Sequence, residues 1–165
     1  MAGLPGTGKS TIARELAARV GGTVLDKDQI RASLFAPRDI EYSTEQDDIV
    51  MGVMLEVARY IQERDPARRV FIDGRPFARS YQLENVLARA KEMGTDWRIL
   101  ECVCSEESAC KRLEAGSREH PAANRTFELY QRMKVEFEPI TLPKIVLDTD
   151  QPLEMCVQAA LHAIS

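Results

Sequence analysis

The sequence predicts an α/β protein built on a parallel sheet with helices covering both faces. Three observations carry this. Short apolar runs alternate along the chain with longer stretches of helical periodicity, the order of strand–helix–strand units. The runs are apolar throughout rather than at every second residue, as in strands buried on both faces. Two of them end on an acid, Asp26 and Asp73, at the carboxyl edge where parallel sheets put their chemistry.

The elements follow in order. Residues 10–20 place Ile12, Ala13, Leu16, Ala17 and Val20 on one helical face, and Gly21-Gly22 stops that helix. Thr23-Val24-Leu25 is a short strand, and Asp28 begins the next helix. From about residue 44 a long helix is expected. Ser43 and Gln46 form a capping box, and Ile49, Val50, Val53, Met54, Val57, Ala58 and Ile61 make its apolar stripe. Val70 to Asp73 is a buried strand, Tyr81 to Lys91 a helix, and Trp97 to Val103 the next strand. Helices over Ser105–Glu114 and Thr126–Phe137 precede the last strand, Lys144–Leu147. Leu153, Val157, Leu161 and Ile164 mark the closing helix. No repeat, linker or internal boundary interrupts this order, so residues 1–165 are expected to form one domain. Only Met1 and Ala2 precede the first glycine. Either a few residues lie upstream of this numbering or the first strand is unusually short, and the former is expected.

Composition excludes several classes. The 165 residues are 44% hydrophobic, 29% charged and 6% aromatic, which rules out disorder, collagen-like repeats and a disulfide-stapled miniprotein. With 22 basic and 26 acidic residues, the net charge of −4 argues against a protein that grips long nucleic acid. No stretch reaches the roughly 20 apolar residues of a membrane span, and no signal peptide is visible. Cys102, Cys104, Cys110 and Cys156 lack the spacing of zinc or redox pairs and read as buried free thiols, which suits a reducing cytoplasm.

Gly3-Leu4-Pro5-Gly6-Thr7-Gly8-Lys9-Ser10 fills every position of the phosphate-loop pattern. Its glycines allow backbone angles that aim successive N–H groups inward, and the helix that follows adds its positive end. Lys9 is expected to reach the outer phosphates and Ser10 to bind magnesium, with Gly3, Pro5, Gly6, Thr7, Gly8 and Thr11 completing the nucleotide contacts. A mere helix-capping turn would leave the filled pattern unexplained. The base-reading Asn-Lys-x-Asp of GTPases does not occur. A compact chain with acids at later strand ends points to phosphate transfer from ATP to a small acceptor.

Other residues carry the remaining chemistry. Asp28 and Arg31 lie one turn apart on a starting helix and can offer a general base and a guanidinium to one place. The alternative is that Asp28 caps the helix and Arg31 is a solvated charge. Asp73 is placed to support the magnesium. Arg75 and Arg79, after the turn at Gly74, are candidates for the acceptor or for plain surface roles. Residues 112–125 read as a mobile lid broken by Gly116 and Pro121. Arg112 is a nucleotide contact there, and Arg118 and Arg125 are candidate catalytic arginines. His120 reads as a loop residue and His162 as structural. Asp148-Thr149-Asp150 either caps the last helix or, through Thr149, lies against an adenine ring.

Together these residues resemble P-loop kinases of the polynucleotide-kinase type, a group akin to gluconate kinase, chloramphenicol phosphotransferase and the zeta toxins. The likeness covers nearly the whole chain. Its more telling part is Asp28-Gln29-Ile30-Arg31, similar to the D-x-x-R of polynucleotide kinases, followed by Glu41-Tyr42-Ser43-Thr44 and Ile49-Val50-Met51-Gly52. The resemblance implies a three-layer P-loop NTPase fold of the nucleoside-kinase type, with a five-stranded parallel sheet and a short helical lid. It implies that Asp28 is the general base, Arg31 supports the acceptor, Asp73 is a Walker B aspartate, and Arg118 or Arg125 is the lid arginine. It also implies transfer of the ATP terminal phosphate to a hydroxyl without naming the acceptor. Three readings stay open: a small-molecule kinase, which the acidic balance favours, a polynucleotide 5′-hydroxyl kinase, and a nucleotide-binding ATPase or regulatory module. A monomer or homodimer with no membrane partner is expected.

Overall fold

The computed structural model describes residues 1–116 and 126–164. In chain order these form α1 (Lys9–Val20), β1 (Thr23–Asp26), α2 (Lys27–Leu34), α3 (Thr44–Arg64), β2 (Val70–Asp73), α4 (Ser80–Glu92), β3 (Ile99–Val103), α5 (Glu106–Gly116), α6 (Phe127–Glu136), β4 (Lys144–Asp148) and α7 (Leu153–Ile164). A single 3₁₀ turn at Pro37–Asp39 was not foreseen.

Among the described residues, all strand pairing is parallel. β1 pairs with β2 from Thr23↔Val70 to Asp26↔Asp73, and β3 pairs with β4 from Ile99↔Lys144 to Val103↔Asp148. Between the two pairs runs the short segment Met1–Ala2. The Met1 nitrogen donates to the Ile72 carbonyl (2.8 Å). On the other side the Ala2 N–H donates to Leu100 (2.7 Å), and the Cys102 N–H donates to the Ala2 carbonyl (2.9 Å). The expected five-stranded sheet is therefore not confirmed. Two two-stranded sheets flank a segment that makes one isolated bridge, Ala2↔Glu101, because two residues are too few to form a strand.

Alternation along the strands sorts their side chains to two faces. Phe71, Leu100, Cys102 and Leu147 meet Ile12, Leu16 and Val157 of α1 and α7. Leu25 and Ile99 face the opposite way, against Val50, Met51, Met54 and Leu83 of α3 and α4. Fully burying Ile12, Leu16, Met54 and Leu147 contributes about 1.5–3 kcal/mol each. A smaller cluster joins α5 to α6, with Ala109, Leu113 and Tyr130 packed beside Leu4 of the phosphate loop.

Several boundaries and faces differ from expectation. β3 begins at Ile99 rather than Trp97, whose ring is partly exposed beyond the pairing register. α5 continues past Glu114 to Gly116. On α3 the buried stripe is Val50, Met51, Met54 and Ala58, while Ile49 (51% exposed) and Val57 (37%) face outward. The apolar band of the sequence is simply wider than the strip that touches the sheet. The capping box is half formed: Ser43 accepts from the Gln46 N–H (3.2 Å), but the Gln46 side chain turns to the Glu41 N–H (2.9 Å). Cys102 and Cys156 are buried thiols as expected, whereas Cys104 and Cys110 lie partly exposed, beyond β3 and on the outer side of α5. Among the described residues, no helix is long and apolar enough to cross a membrane.

Candidate active site

The phosphate loop begins where Met1–Ala2 leaves the sheet and ends in α1. Gly3 has φ +125°, and a Cβ there would stand 2.2 Å from the Cys102 carbonyl oxygen. Gly6 and Gly8 both adopt φ +80°, so the turn uses the left-handed region that glycine reaches freely. The Thr7 hydroxyl donates to the Leu4 carbonyl (2.7 Å), and the buried Lys9 ammonium reaches across the loop to the same oxygen (2.7 Å). Pro5 is buried, Ser10 is partly buried, and Thr11 is exposed in the first turn of α1. That turn has amide N–H groups with no carbonyl inside the helix to bond, and they open toward the loop.

Strand register sets Asp26 beside Asp73 at the carboxyl edge. Asp26 caps α2, accepting from the Asp28 N–H (3.0 Å) and the Gln29 N–H (3.3 Å), with Arg14 3.7 Å away. Burial pushes the Asp26 carboxyl above its usual range, and the Asp73 charge acts the same way against those two N–H bonds. Asp73 is fully buried, and neither of its oxygens has a hydrogen-bond partner among the described residues. An orphaned carboxylate is costly in such a place unless a cation meets it. The Asp73 carboxylate and the Ser10 hydroxyl, at the start of α1, are the oxygens this edge would offer to a magnesium ion. Among the described residues, no group of three or more His, Cys, Asp or Glu could hold a metal ion. Lys9 and Asp73 both act on the nearby Cys102 thiol, which burial raises to about 11.

Between α2 and α3 lies a network of ion pairs in which Lys27 and Arg31 are buried and Asp28 and Asp47 half-buried. Because Asp26 supplies the cap, Asp28 is left to pair with Arg31 (2.7 Å). Arg31 is only 2% exposed, so it is no solvated charge. It also bonds Asp47 of α3 and lies over the Tyr42 ring, 5.3 Å from its centre. Lys27 donates to both Asp47 oxygens at 2.8 Å. Burial lowers the Lys27 ammonium, with Asp47 and then Asp28 opposing. Sequence reasoning missed Lys27 and Asp47. An acid in the first turn of α3 looks like a complement to the helix dipole, and nothing local shows that it faces α2.

Gly74 (φ +91°) turns the chain so closely over α2 that a Cβ would stand 2.8 Å from the Lys27 Cβ. Arg75 is thereby carried inside, 4% exposed, with Nη2 2.7 Å from Asp48. Arg79 instead pairs with Glu136 (2.8 Å) and Glu138 (3.5 Å) at the surface. Behind the phosphate loop, Arg112 donates to the Thr149 hydroxyl (2.9 Å) and carbonyl (2.7 Å). That hydroxyl in turn donates to the Thr7 carbonyl (3.1 Å), so Arg112 and Thr149 are tied to the loop. Arg118, His120 and Arg125, with most of the expected lid, lie outside the described residues. His162 sits in the last turns of α7. A cavity of about 890 Å³ lies at the opposite edge, lined by Val70, Ile99 and Met93 near the amino ends of β2 and β3.

A family model described as an AAA domain matches residues 1–140. Among solved structures the chain is similar to an APS kinase, CysC of Mycobacterium tuberculosis, in complex with AMPPNP and APS. The TM-score is 0.72 at 16% identity, over 99% of this chain and 94% of that one. It is similar to Kti12 of Chaetomium thermophilum in complex with ADP-AlF3, with a TM-score of 0.72 at 16% identity over 99% and 97% of the two chains. A gluconokinase from Sinorhizobium meliloti gives a TM-score of 0.68 at 16% identity over 98% and 87%. At these identities the likeness is one of fold. No curated protein matches the sequence.

Proposed function

The chain belongs to this AAA-domain family, and on that premise we propose that it is a single P-loop kinase domain that transfers the terminal phosphate of ATP to a hydroxyl of a small molecule. The observation that carries the reading is the Asp28–Arg31 pair (2.7 Å), its guanidinium buried and its carboxylate half-buried, at the carboxyl edge that also carries a complete phosphate loop. The kinase names of two structural relatives support it, as do the ATP analogues bound in two. The finer grouping with polynucleotide-type kinases rests on the Asp28-x-x-Arg31 pattern, and a cytoplasmic setting rests on four free thiols.

In this mechanism the loop N–H groups and the α1 N-terminus hold the phosphates, and Lys9 exchanges the Leu4 carbonyl for their oxygens. Ser10 and Asp73 would hold magnesium, which when bound would supply positive charge to the phosphate oxygens. Asp28 accepts the proton of the acceptor hydroxyl as its oxygen forms the new bond to the terminal phosphorus. The bond from that phosphorus to the bridging oxygen breaks, and ADP leaves. Arg31 holds the Asp28 carboxylate in place and offers positive charge to the acceptor. Arg112 and Thr149 flank the nucleotide from behind the loop, and Arg118 and Arg125 remain the candidate arginines for the transferred group.

A second reading, an ATPase or regulatory module, is favoured by the likeness to Kti12. The two separate in one experiment: label transfer from γ-phosphate-labelled ATP with magnesium to a panel of sugars, nucleosides and hydroxy-amino acids, with a 5′-hydroxyl oligonucleotide alongside. Label on a small alcohol is expected. Label on the oligonucleotide would overturn the small acceptor. Release of inorganic phosphate alone, equal in Asp28→Asn, would favour the ATPase module.

A further inference from the structure

We propose that the outward face of α3 is a self-association surface, on which a second copy of this chain packs antiparallel about a two-fold axis between Met54 and Leu55. α3 buries Val50, Met51, Met54 and Ala58 inside the chain, so its opposite side is expected to be polar. It is not. Ile49 is 51% exposed, Val57 37% and Tyr60 53%, and with the half-buried Val53 they form one stripe at helical spacing. Single exposed apolar residues are ordinary on any surface, but a stripe along one face of a 21-residue helix marks an interaction surface. Gly52 lies beside the stripe, exposed, with nothing within 4 Å of where a Cβ would stand. A glycine weakens the interior of a helix, and what it offers in return here is room for a neighbouring helix to come close.

The charges at the two ends of α3 say what covers it. Asp47, Asp48, Glu56, Arg59 and Glu63 are all ion-paired within the chain. Glu45 in the first turn and Arg64 in the last are exposed, and neither has an ion-pair partner among the described residues. Arg64 lies instead over the Tyr60 ring, 3.9 Å from its centre, which brings its charge to the end of the apolar stripe. An antiparallel copy answers both ends at once. About that axis Glu45 lies opposite the partner's Arg64, Ile49 opposite the partner's Tyr60 and Gly52 opposite the partner's Val57. Two-fold symmetry repeats each contact, so one register pairs both acids with both arginines. A parallel copy would set like charges together at each end, and a partner of uniform charge would match one end and repel the other.

The test is sedimentation velocity at micromolar concentration on wild type, Ile49→Glu, Glu45→Arg, Arg64→Glu and the double variant Glu45→Arg with Arg64→Glu, each first checked for an unchanged circular dichroism spectrum. Wild type is expected to sediment as a dimer. Ile49→Glu puts a charge into the apolar stripe and is expected to weaken association by about 100-fold. Should it fail to fold, Tyr60→Glu carries the same expectation. Glu45→Arg and Arg64→Glu each set like charges opposite one another at both ends, and each is expected to lose about tenfold. The double variant restores opposite charges across the axis and is expected to return to within about threefold of wild type. A monomeric wild type would overturn the proposal. So would a dimer that Ile49→Glu and Tyr60→Glu leave intact, or a double variant no tighter than the two single ones. Neither nucleotide nor acceptor enters the readout, so the surface stands or falls apart from the kinase reading.

Discussion

Gly3 marks how much a single position of the loop demands. Its φ of +125° is strained for any L side chain, and the 2.2 Å approach of the Cys102 carbonyl is backbone that cannot swing away. Gly3→Ala is expected to lower stability by about 3 kcal/mol or more, read as a lower urea midpoint; an unchanged midpoint would contradict the geometry. The loop residues were legible in the sequence because their pattern is local and complete. The partners of Arg31 were not. Lys27 and Asp47 meet across 20 residues of chain, and no local pattern reports which helix face an acid takes. Whether Asp28 caps its helix or faces the acceptor was equally open in the sequence. Asp26, two residues earlier, takes the cap and leaves Asp28 to pair with Arg31.

At the scale of elements, periodicity located every long helix and each of the four strands, because apolar period and burial coincide wherever an element spans the core. It placed edges less well. The sequence pattern starts β3 at Trp97, but the pairing register begins only at Ile99. Contacts between helices were invisible to it, and the junction of α1 with α7 is an instance. Arg19 donates to both Glu154 oxygens (2.8 and 2.6 Å), which lowers the Glu154 carboxyl to about 2. The folded pKa lies below the unfolded 4.5, so the contribution is present above 4.5 and is lost as pH falls through about 2. Urea midpoints of wild type and Glu154→Gln should differ at pH 7 and converge near pH 2. The difference stays modest, since the pair is open to solvent. A gap independent of pH would contradict the pairing.

For the whole molecule, the order β1, β2, Met1–Ala2, β3, β4 brings loop, acids and acceptor network to one edge of the sheet. The fold class was legible because strand–helix alternation admits few arrangements. The shortness of the first strand was legible too, since only Met1 and Ala2 precede Gly3, and that segment makes one isolated bridge between the two strand pairs. The most direct test of the account is phosphate transfer from labelled ATP to the best acceptor, measured for wild type and Asp28→Asn, with AMP-PNP affinity measured for both. Arg31 keeps Asp47 in the variant, so the network survives the change. The account predicts a loss of transfer of about 10²- to 10⁴-fold with AMP-PNP affinity unchanged. Equal transfer in the two proteins would contradict it.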